Sequence, residues 1–464
     1  MRHGVDYIFG KLDLDSGLVC YYPGSNVYEI RHRHPYPRDL KIDTELEIYL
    51  WKFFKLFRAF KLYKDVVTSK SDYCLFVEPY RTCNLKCSYC YASPSWKSTE
   101  RLQYDRLKEV INYYQIKDVR IFGGEPFIDK SLLIKLFTEF SHNSFMISSN
   151  GLLLTERLVK ALNSVACSLQ ISIEPEEWQQ RLTWGNVSQY SLLRKKFHLI
   201  NKLKRKVVFR VTLPSDKDIP YVSLLEFVER IVKDKGDWNF ILVVWPAFGN
   251  KLPHWFGRWI DEGNEILNNR NLRYKMRDKH LWTTYLVRFE GFHGFPWYPL
   301  NCNAGVNAIS VAPNGTLYAC HEYAVVEGDT YKLGEVEIDK NKQFEIVSQY
   351  VNKINTKKEC DICEAKYVCG GICFARNINS ACEYITKSFP LIMRWLPTVM
   401  SKEISSWENK TKNFKDYLEK NIDMFKSLLE EEQWKQYYSG ELPEVKVREL
   451  GNKLLSFLGN PDTL

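Results

Sequence analysis

The chain has 464 residues, 45% hydrophobic and 26% charged, enough for a sizeable core and about two to four domains, which excludes a small binding module. Gly and Pro usage is ordinary, at 23 and 18 residues, which excludes a largely disordered chain. The formal charge of +9 comes from Lys and Arg interspersed with Glu and Asp along the whole sequence, the mark of a solvated surface, and no nucleic-acid-binding motif accompanies it.

In chain order, residues 1–70 begin with short alternating apolar segments, VDYIFG, LVCYY and NVYEI, followed by an apolar helix candidate from Leu46 to Tyr63. This predicts a small β-plus-helix domain. Residues 71–250 alternate apolar strands with amphipathic stretches of helical period. Six strands are predicted, from Tyr73, Asp118, Ser144, Ser168, Lys206 and Asn239. Six βα units fall two short of a closed eight-stranded barrel, so the expected fold class is α/β with a partial (β/α)6 barrel whose chemistry gathers at the strand C-terminal ends. Residues 251–300 form an aromatic-rich connection that includes His254, Trp255, Phe256, Trp259, Trp282, Phe292, His293 and Trp297. Residues 301–385 read as a loop-rich, cysteine-ligated domain, and 386–464 as a charged helical tail.

No run of eighteen apolar residues occurs, and the opening MRHGVDYIFGKLDLD lacks the apolar core and cleavage site of a secretory signal. Both observations predict a cytoplasmic chain with no membrane span. In that compartment thiols stay reduced, so the tightly spaced members of the 13 cysteines point to metal or redox chemistry. Cys20, Cys74 and Cys167 lie in apolar strand-like segments and are expected to be buried small hydrophobes.

The chemistry begins at the end of the first barrel strand, where Cys83, Cys87 and Cys90 share one short loop. Three thiolates can hold a cubane iron–sulfur cluster while leaving one iron without a protein ligand, and an open iron is a binding site. A closed structural zinc site would call for a fourth ligand. Gly123-Gly124-Glu125-Pro126 follows the second strand, and its two glycines allow close backbone approach. As a bare turn it is an ordinary strand-to-helix connection. Ser149 and Asn150 end the third strand, and Ser172 and Glu174 the fourth, where capping and turn chemistry are the alternative to ligand contacts.

This pattern, with Tyr89 before the third cysteine and Tyr91 after it, resembles the radical S-adenosylmethionine superfamily. The resemblance implies that the free iron chelates the methionine part of S-adenosylmethionine and that Gly123, Gly124, Glu125 and Pro126 meet the cofactor amino group. By the same resemblance Ser149, Asn150 and Ser172 match positions that contact the ribose or carboxylate. Glu174 stands in Ser-Ile-Glu-Pro where many relatives carry Asp in Ser-Leu-Asp-Gly. Arg181 or Arg210 suits the cofactor carboxylate, because a guanidinium fork matches its plane.

Further along, Cys302 is followed by Gly315 and Cys320, then by Cys360, Cys363, Cys369, Cys373 and Cys382. A zinc ribbon is the alternative for Cys360 to Cys369 taken alone. The full spacing resembles the SPASM auxiliary-cluster extension. That resemblance assigns Cys360, Cys363, Cys369 and Cys382 to one complete cluster, and Cys302, Cys320 and Cys373 to a second with one iron position not filled by cysteine. Three clusters, most simply [4Fe-4S], are therefore expected. The implied activity is one-electron cleavage of S-adenosylmethionine to a 5′-deoxyadenosyl radical, which abstracts hydrogen from a peptide or protein, with flavodoxin or ferredoxin as electron donor.

Two enzyme readings compete. One is maturation of a ribosomally made peptide by a thioether, a carbon–carbon crosslink or epimerisation, with the N-terminal domain gripping a leader peptide. The other is anaerobic sulfatase maturation, in which the resemblance places an Asp base after the Gly-x4-Cys cysteine. Here Cys320 is followed by His321 and Glu322, which favours the first reading and makes His321 the candidate acid or base. A non-catalytic electron-transfer protein is the third reading.

Overall fold

A computed structural model describes residues 11–13, 17–20, 28–29, 73–90, 92, 98–205, 207–213, 220–236, 240–246, 281–283, 304–322 and 331–355. The predicted helix at 46–63, the aromatic stretch apart from Trp282, the charged tail, Tyr91, Cys302, Cys360, Cys363, Cys369, Cys373 and Cys382 lie outside the described residues.

Three short strands, β1 (Lys11–Asp13), β2 (Gly17–Cys20) and β3 (Tyr28–Glu29), pair antiparallel in a sheet of their own. The main sheet is built from β4 (Cys74–Val77), β5 (Asp118–Ile121), β6 (Ser144–Ser149), β7 (Ala166–Ile173), β8 (Val207–Leu213) and β9 (Phe240–Pro246), all parallel and adjacent in chain order. These are the six strands that the apolar runs predict. Helices alternate with them, the main ones being α1 (Tyr104–Tyr113), α2 (Lys130–Glu139), α3 (Glu156–Asn163) and α4 (Tyr221–Lys235), while two short helical turns, Gln189–Leu193 and Phe197–Ile200, connect β7 to β8.

The helices form where sequence chemistry starts and aims them. Asp129 and Thr155 cap α2 and α3, their side chains accepting from the backbone N–H of Leu132 at 3.0 Å and of Leu158 at 3.4 Å, which satisfies donors that a helix start leaves open. Gly236 ends α4 with φ of 86°, a left-handed position where a side chain would be strained. Apolar residues three and four apart, Leu133 with Leu136 and Phe137 and then Leu158 with Val159 and Leu162, face the sheet.

Along the strands, burial alternates with the two-residue period of a pleated sheet. Leu75 and Val77, Val119 and Ile121, Phe145 and Ile147, and Leu169 and Ile171 join the helix residues in one apolar cluster. The residues between them face the other way, into the opening of the sheet: Phe76, Arg120, Met146, Ser148, Gln170, Ser172 and Arg210.

Two strands beyond the predicted six extend the parallel run. β10 (Leu281–Thr283) adds to β9, and β11 (Ala308–Val311) adds to β4 on the opposite edge. β12 (Leu317–Tyr318) and β13 (Lys332–Gly334) continue antiparallel from β11, and α5 (Lys340–Asn355) follows. The ten strands form one open sheet, with β10 and β13 at its free edges. The fold is thus the expected partial barrel, widened by the first part of the cysteine-rich region. At three and four residues, β10 and β11 are too short to carry a readable alternation. Among the described residues, no helix is long and apolar enough to cross a membrane.

Phe209 is fully buried on β8, where truncation leaves a cavity the close-packed layer cannot refill. Phe209→Ala is expected to lower the unfolding free energy by about 3–5 kcal/mol, measured by urea denaturation.

Candidate functional site

The Cys83–Cys90 loop leaves the C-terminal end of β4 and is held from two sides. On one side, the peptide N–H groups of Phe122, Gly124 and Glu125 donate to the carbonyls of Val77, Tyr80 and Thr82, each at 3.0 Å. The glycines make this possible. A Cβ on Gly124 would lie 1.9 Å from the Thr82 oxygen, and one on Gly123, at φ of 116°, would lie 2.6 Å from the Tyr80 oxygen. Their close approach is therefore to the cysteine loop's own backbone.

On the other side the loop pairs with residues 180–184. Lys86 N donates to Leu182 O at 2.9 Å and Ser88 N to Gln180 O at 3.1 Å, with a bridge between Leu85 and Thr183. The indole N–H of Trp184 donates to the Cys83 carbonyl at 3.2 Å. Tyr80 braces the base of the loop: its hydroxyl donates to Pro126 O and accepts from Asp129 N, both at 2.7 Å.

Glu125 ties this assembly to β6. Its buried carboxylate accepts from Ser149 Oγ at 2.6 Å, Asn150 N at 2.7 Å and Phe127 N at 3.0 Å. Burial pushes its pKa above the ordinary 4.5, against the pull of these three donors. Ser149 is buried and spends its hydroxyl on Glu125. Asn150 points toward the cysteines, its Nδ2 lying 2.7 Å from Asn84 Oδ1 and 4.0 Å from Cys83 Sγ. Gln189, which no sequence motif marks, bridges two strand ends by donating to Asn150 O at 2.7 Å and Ser172 O at 2.9 Å.

Glu174 is also buried. It accepts from the backbone N–H of Arg181 and, at 3.2 Å, from Gln180 Nε2, so it shapes the turn that carries the loop's partner strand. Burial raises its pKa as well, with Arg181 opposing. Arg181 donates to the Tyr89 hydroxyl and lies over its ring, 5.7 Å from the centroid. Burial works against its charge, yet Cys87, Tyr89 and Glu174 outweigh that and hold the guanidinium firmly protonated. Arg210 sits on β8 in register with Ser172 on β7.

The three thiols sense one another, Cys83 with Cys87 and Cys87 with Cys90. Burial pushes Cys83 up to about 12 and raises Cys87, so ligation there must displace protons. Among the described residues no three His, Cys, Asp or Glu side chains converge on the position of a single ion. A cubane cluster does not require that, since each thiolate binds its own iron. Two buried polar atoms near the strand ends lack a hydrogen-bond partner, Arg181 Nε and Gln189 Oε1. One donates and the other accepts, and buried polar groups are seldom left so. The donor set therefore fits a three-thiolate cluster beside a polar ligand carrying both an acceptor and a donor.

Cys320 and His321 follow β12 and reach the sheet opening. The His321 ring stacks on Phe76 at 5.7 Å and meets Phe122 edge-on at 4.3 Å, with Cys320 Sγ 3.9 Å from its Nδ1 and Glu322 Oε1 4.0 Å from its Nε2. Arg120 lies over the other partner of this stack, 5.4 Å from the Phe76 centroid, and pairs with Asp118 at 3.0 Å. Cys74 departs from expectation: it is half-buried on this same face and donates to Asp118 Oδ2 at 3.2 Å, because its place in the strand period points it away from the helices. Cys167 is buried as expected.

Residues 77–180 match the model of the Radical SAM superfamily, and the chain carries a radical SAM domain. No curated protein matches in sequence. Among solved structures, anSMEcpe with bound AdoMet is similar at 19% identity and a TM-score of 0.54, over 72% of this chain and 98% of that one. The same protein with bound AdoMet and Kp18Cys peptide gives 18% identity and 0.53, over 70% and 99%. Streptococcus suis SuiB bound to precursor peptide SuiA gives 14% and 0.47, over 66% and 72%.

Glu125→Gln puts an amide N–H against the backbone donor of Asn150 and is expected to cost about 1–3 kcal/mol. It should also flatten the pH dependence of stability. The raised native pKa means the folded chain keeps this proton beyond pH 4.5 while the unfolded chain loses it, so stability falls as pH rises through that window. Urea unfolding at pH 4.5 and pH 7 checks both. Gly124→Ala, with a methyl driven into the Thr82 carbonyl, should leave iron uptake far below wild type, read by iron analysis after anaerobic reconstitution.

Proposed function

We propose that this chain is a radical S-adenosylmethionine enzyme that oxidatively modifies a ribosomally made peptide. The observation that carries the reading is the cysteine loop clamped between Gly123–Glu125 and residues 180–184 at the C-terminal end of a parallel sheet. Strand ends of this kind are where α/β folds place their chemistry.

In this reading Cys83, Cys87 and Cys90 hold a cluster with one open iron. When bound, that cluster and S-adenosylmethionine supply a radical able to abstract hydrogen from an unactivated carbon. The protein's residues bind, orient and shield. Gly123, Gly124 and Pro126 set the loop height, Arg181 Nε offers a donor to the cofactor carboxylate, and Gln189 Oε1 offers an acceptor. Asn150, Tyr89, Tyr91, Ser172 and Glu174 complete the cofactor surroundings. Phe76 and Phe122 present an apolar wall that excludes water from the substrate carbon.

Cys302, Cys320 and Cys373 would hold one auxiliary cluster, and Cys360, Cys363, Cys369 and Cys382 another. The seating of His321 against Phe76 and Phe122 supports a working position for the first of these beside the sheet opening, with His321 as acid or base. A peptide substrate is supported by the fold shared with anSMEcpe, which has been solved with a bound peptide. His321 and Glu322 after Cys320, in place of Asp, favour peptide crosslinking or epimerisation over formylglycine formation.

Anaerobically reconstituted protein with dithionite is expected to convert S-adenosylmethionine to 5′-deoxyadenosine, and alanine at Cys83, Cys87 or Cys90 should reduce this to background in a chromatographic assay. No 5′-deoxyadenosine from the wild type sinks the proposal. Mass spectrometry of candidate peptides separates the chemistries: a two-hydrogen loss with a crosslinked fragment pattern supports peptide maturation, whereas formylglycine on a sulfatase peptide replaces it.

A further inference from the structure

Asn150 is held at three points. Its peptide N–H donates to Glu125 Oε2 and its carbonyl accepts from Gln189 Nε2, both at 2.7 Å, which fixes the backbone. Its side-chain Oδ1 accepts from the peptide N–H of Leu152 at 3.0 Å. A peptide N–H can only donate, so this contact decides which end of the amide is oxygen and turns Nδ2 toward the cysteine loop.

Nδ2 carries two hydrogens. One goes to Asn84 Oδ1 at 2.7 Å, and the other is left for Cys83 Sγ, 4.0 Å from the nitrogen. Sulfur is a large acceptor, and this one already accepts from Leu85 N at 3.4 Å. Asn84 Oδ1 has a second neighbour in the Cys83 thiol, which donates to it across 3.9 Å. Ligation takes that proton away and leaves a sulfur that only accepts. The Asn150 amide then keeps the Asn84 oxygen occupied and sets an N–H beside the anion, in a buried setting where such a dipole is weakly screened.

We propose that Asn150 is a positioning residue that tunes the reduction potential of the cluster held by Cys83, acting through its side-chain N–H on the ligand sulfur. This rests on the radical S-adenosylmethionine reading above. A donor beside a ligating sulfur stabilises the reduced form, which carries one more negative charge, and so raises the potential. One electron passes from the reductant to the cluster, and no bond is made or broken.

The test uses reconstituted full-length protein. Redox titration followed by electron paramagnetic resonance gives the midpoint, and the signal that changes when S-adenosylmethionine is added identifies the loop cluster. Asn150→Ala removes the donor, whereas Asn150→Asp keeps an oxygen for the Leu152 N–H and puts an acceptor in place of Nδ2. Both are expected to make reduction about tenfold less favourable, a midpoint roughly 59 mV lower. Phe209→Leu, a change within the apolar layer, should keep the wild-type midpoint. In wild-type protein carrying isotope-labelled nitrogen in its asparagine side chains, electron spin echo measurements on the reduced loop cluster should show a coupled nitrogen. A wild-type midpoint in both Asn150 variants overturns the proposal, as does an equal drop in Phe209→Leu. So does an unchanged midpoint with weakened S-adenosylmethionine binding, which gives Asn150 to the cofactor. If neither variant takes up a cluster, the labelled wild type decides, and absence of the coupled nitrogen overturns the proposal. A wild-type chain with no signal that responds to S-adenosylmethionine overturns the underlying reading instead.

Discussion

Two peptide N–H groups, those of Gly124 and Glu125, reach the carbonyls of Tyr80 and Thr82, and the rest of the site depends on that contact. It needs a chain without side chains at 123 and 124, since any Cβ there would collide with the loop backbone. Once the contact forms, Glu125 is carried beneath the ends of β5 and β6. There its carboxylate gathers Ser149, Asn150 and Phe127. A buried carboxylate with three donors is a rigid joint, because losing any one donor leaves a polar group without a partner in a dry setting.

The second clamp has a different physical character. Residues 180–184 meet the loop through backbone pairing, and their own turn is shaped by a second buried carboxylate, Glu174. Both acids have raised pKa values because burial outweighs the pull of their donors. The cluster loop is thus suspended between two desolvated acids, with one firmly charged arginine, Arg181, set against Tyr89 and Cys87.

The opening of the sheet combines contributions distant in sequence. Phe76 and Phe122 come from neighbouring strands, and His321 comes from beyond β12, after β11 has added to the edge of β4. The cysteine-rich region is therefore physically continuous with the barrel sheet at its first turn. Cys320 stands beside His321 on the same face as Phe76.

What the sequence determined by itself is what depends on local periodicity and on fixed spacing. The six parallel strands were legible because Leu75, Val119, Phe145 and Leu169 repeat with the period of a half-buried strand. The cysteine loop and the glycine turn were legible because their residues are adjacent in the chain. Tertiary structure decided what those residues touch. The glycines serve the loop's own backbone, Ser149 and Glu174 bond within the protein, and Gln189 and Trp184 join the site with no motif to announce them. Cys74 turned out to face the sheet opening, since an apolar neighbourhood in sequence does not say which side of the pleat a residue takes. The short strands β10 and β11 escaped notice because three or four residues carry no period. Their place is set by the unpaired edges of β9 and β4, which only the assembled sheet presents.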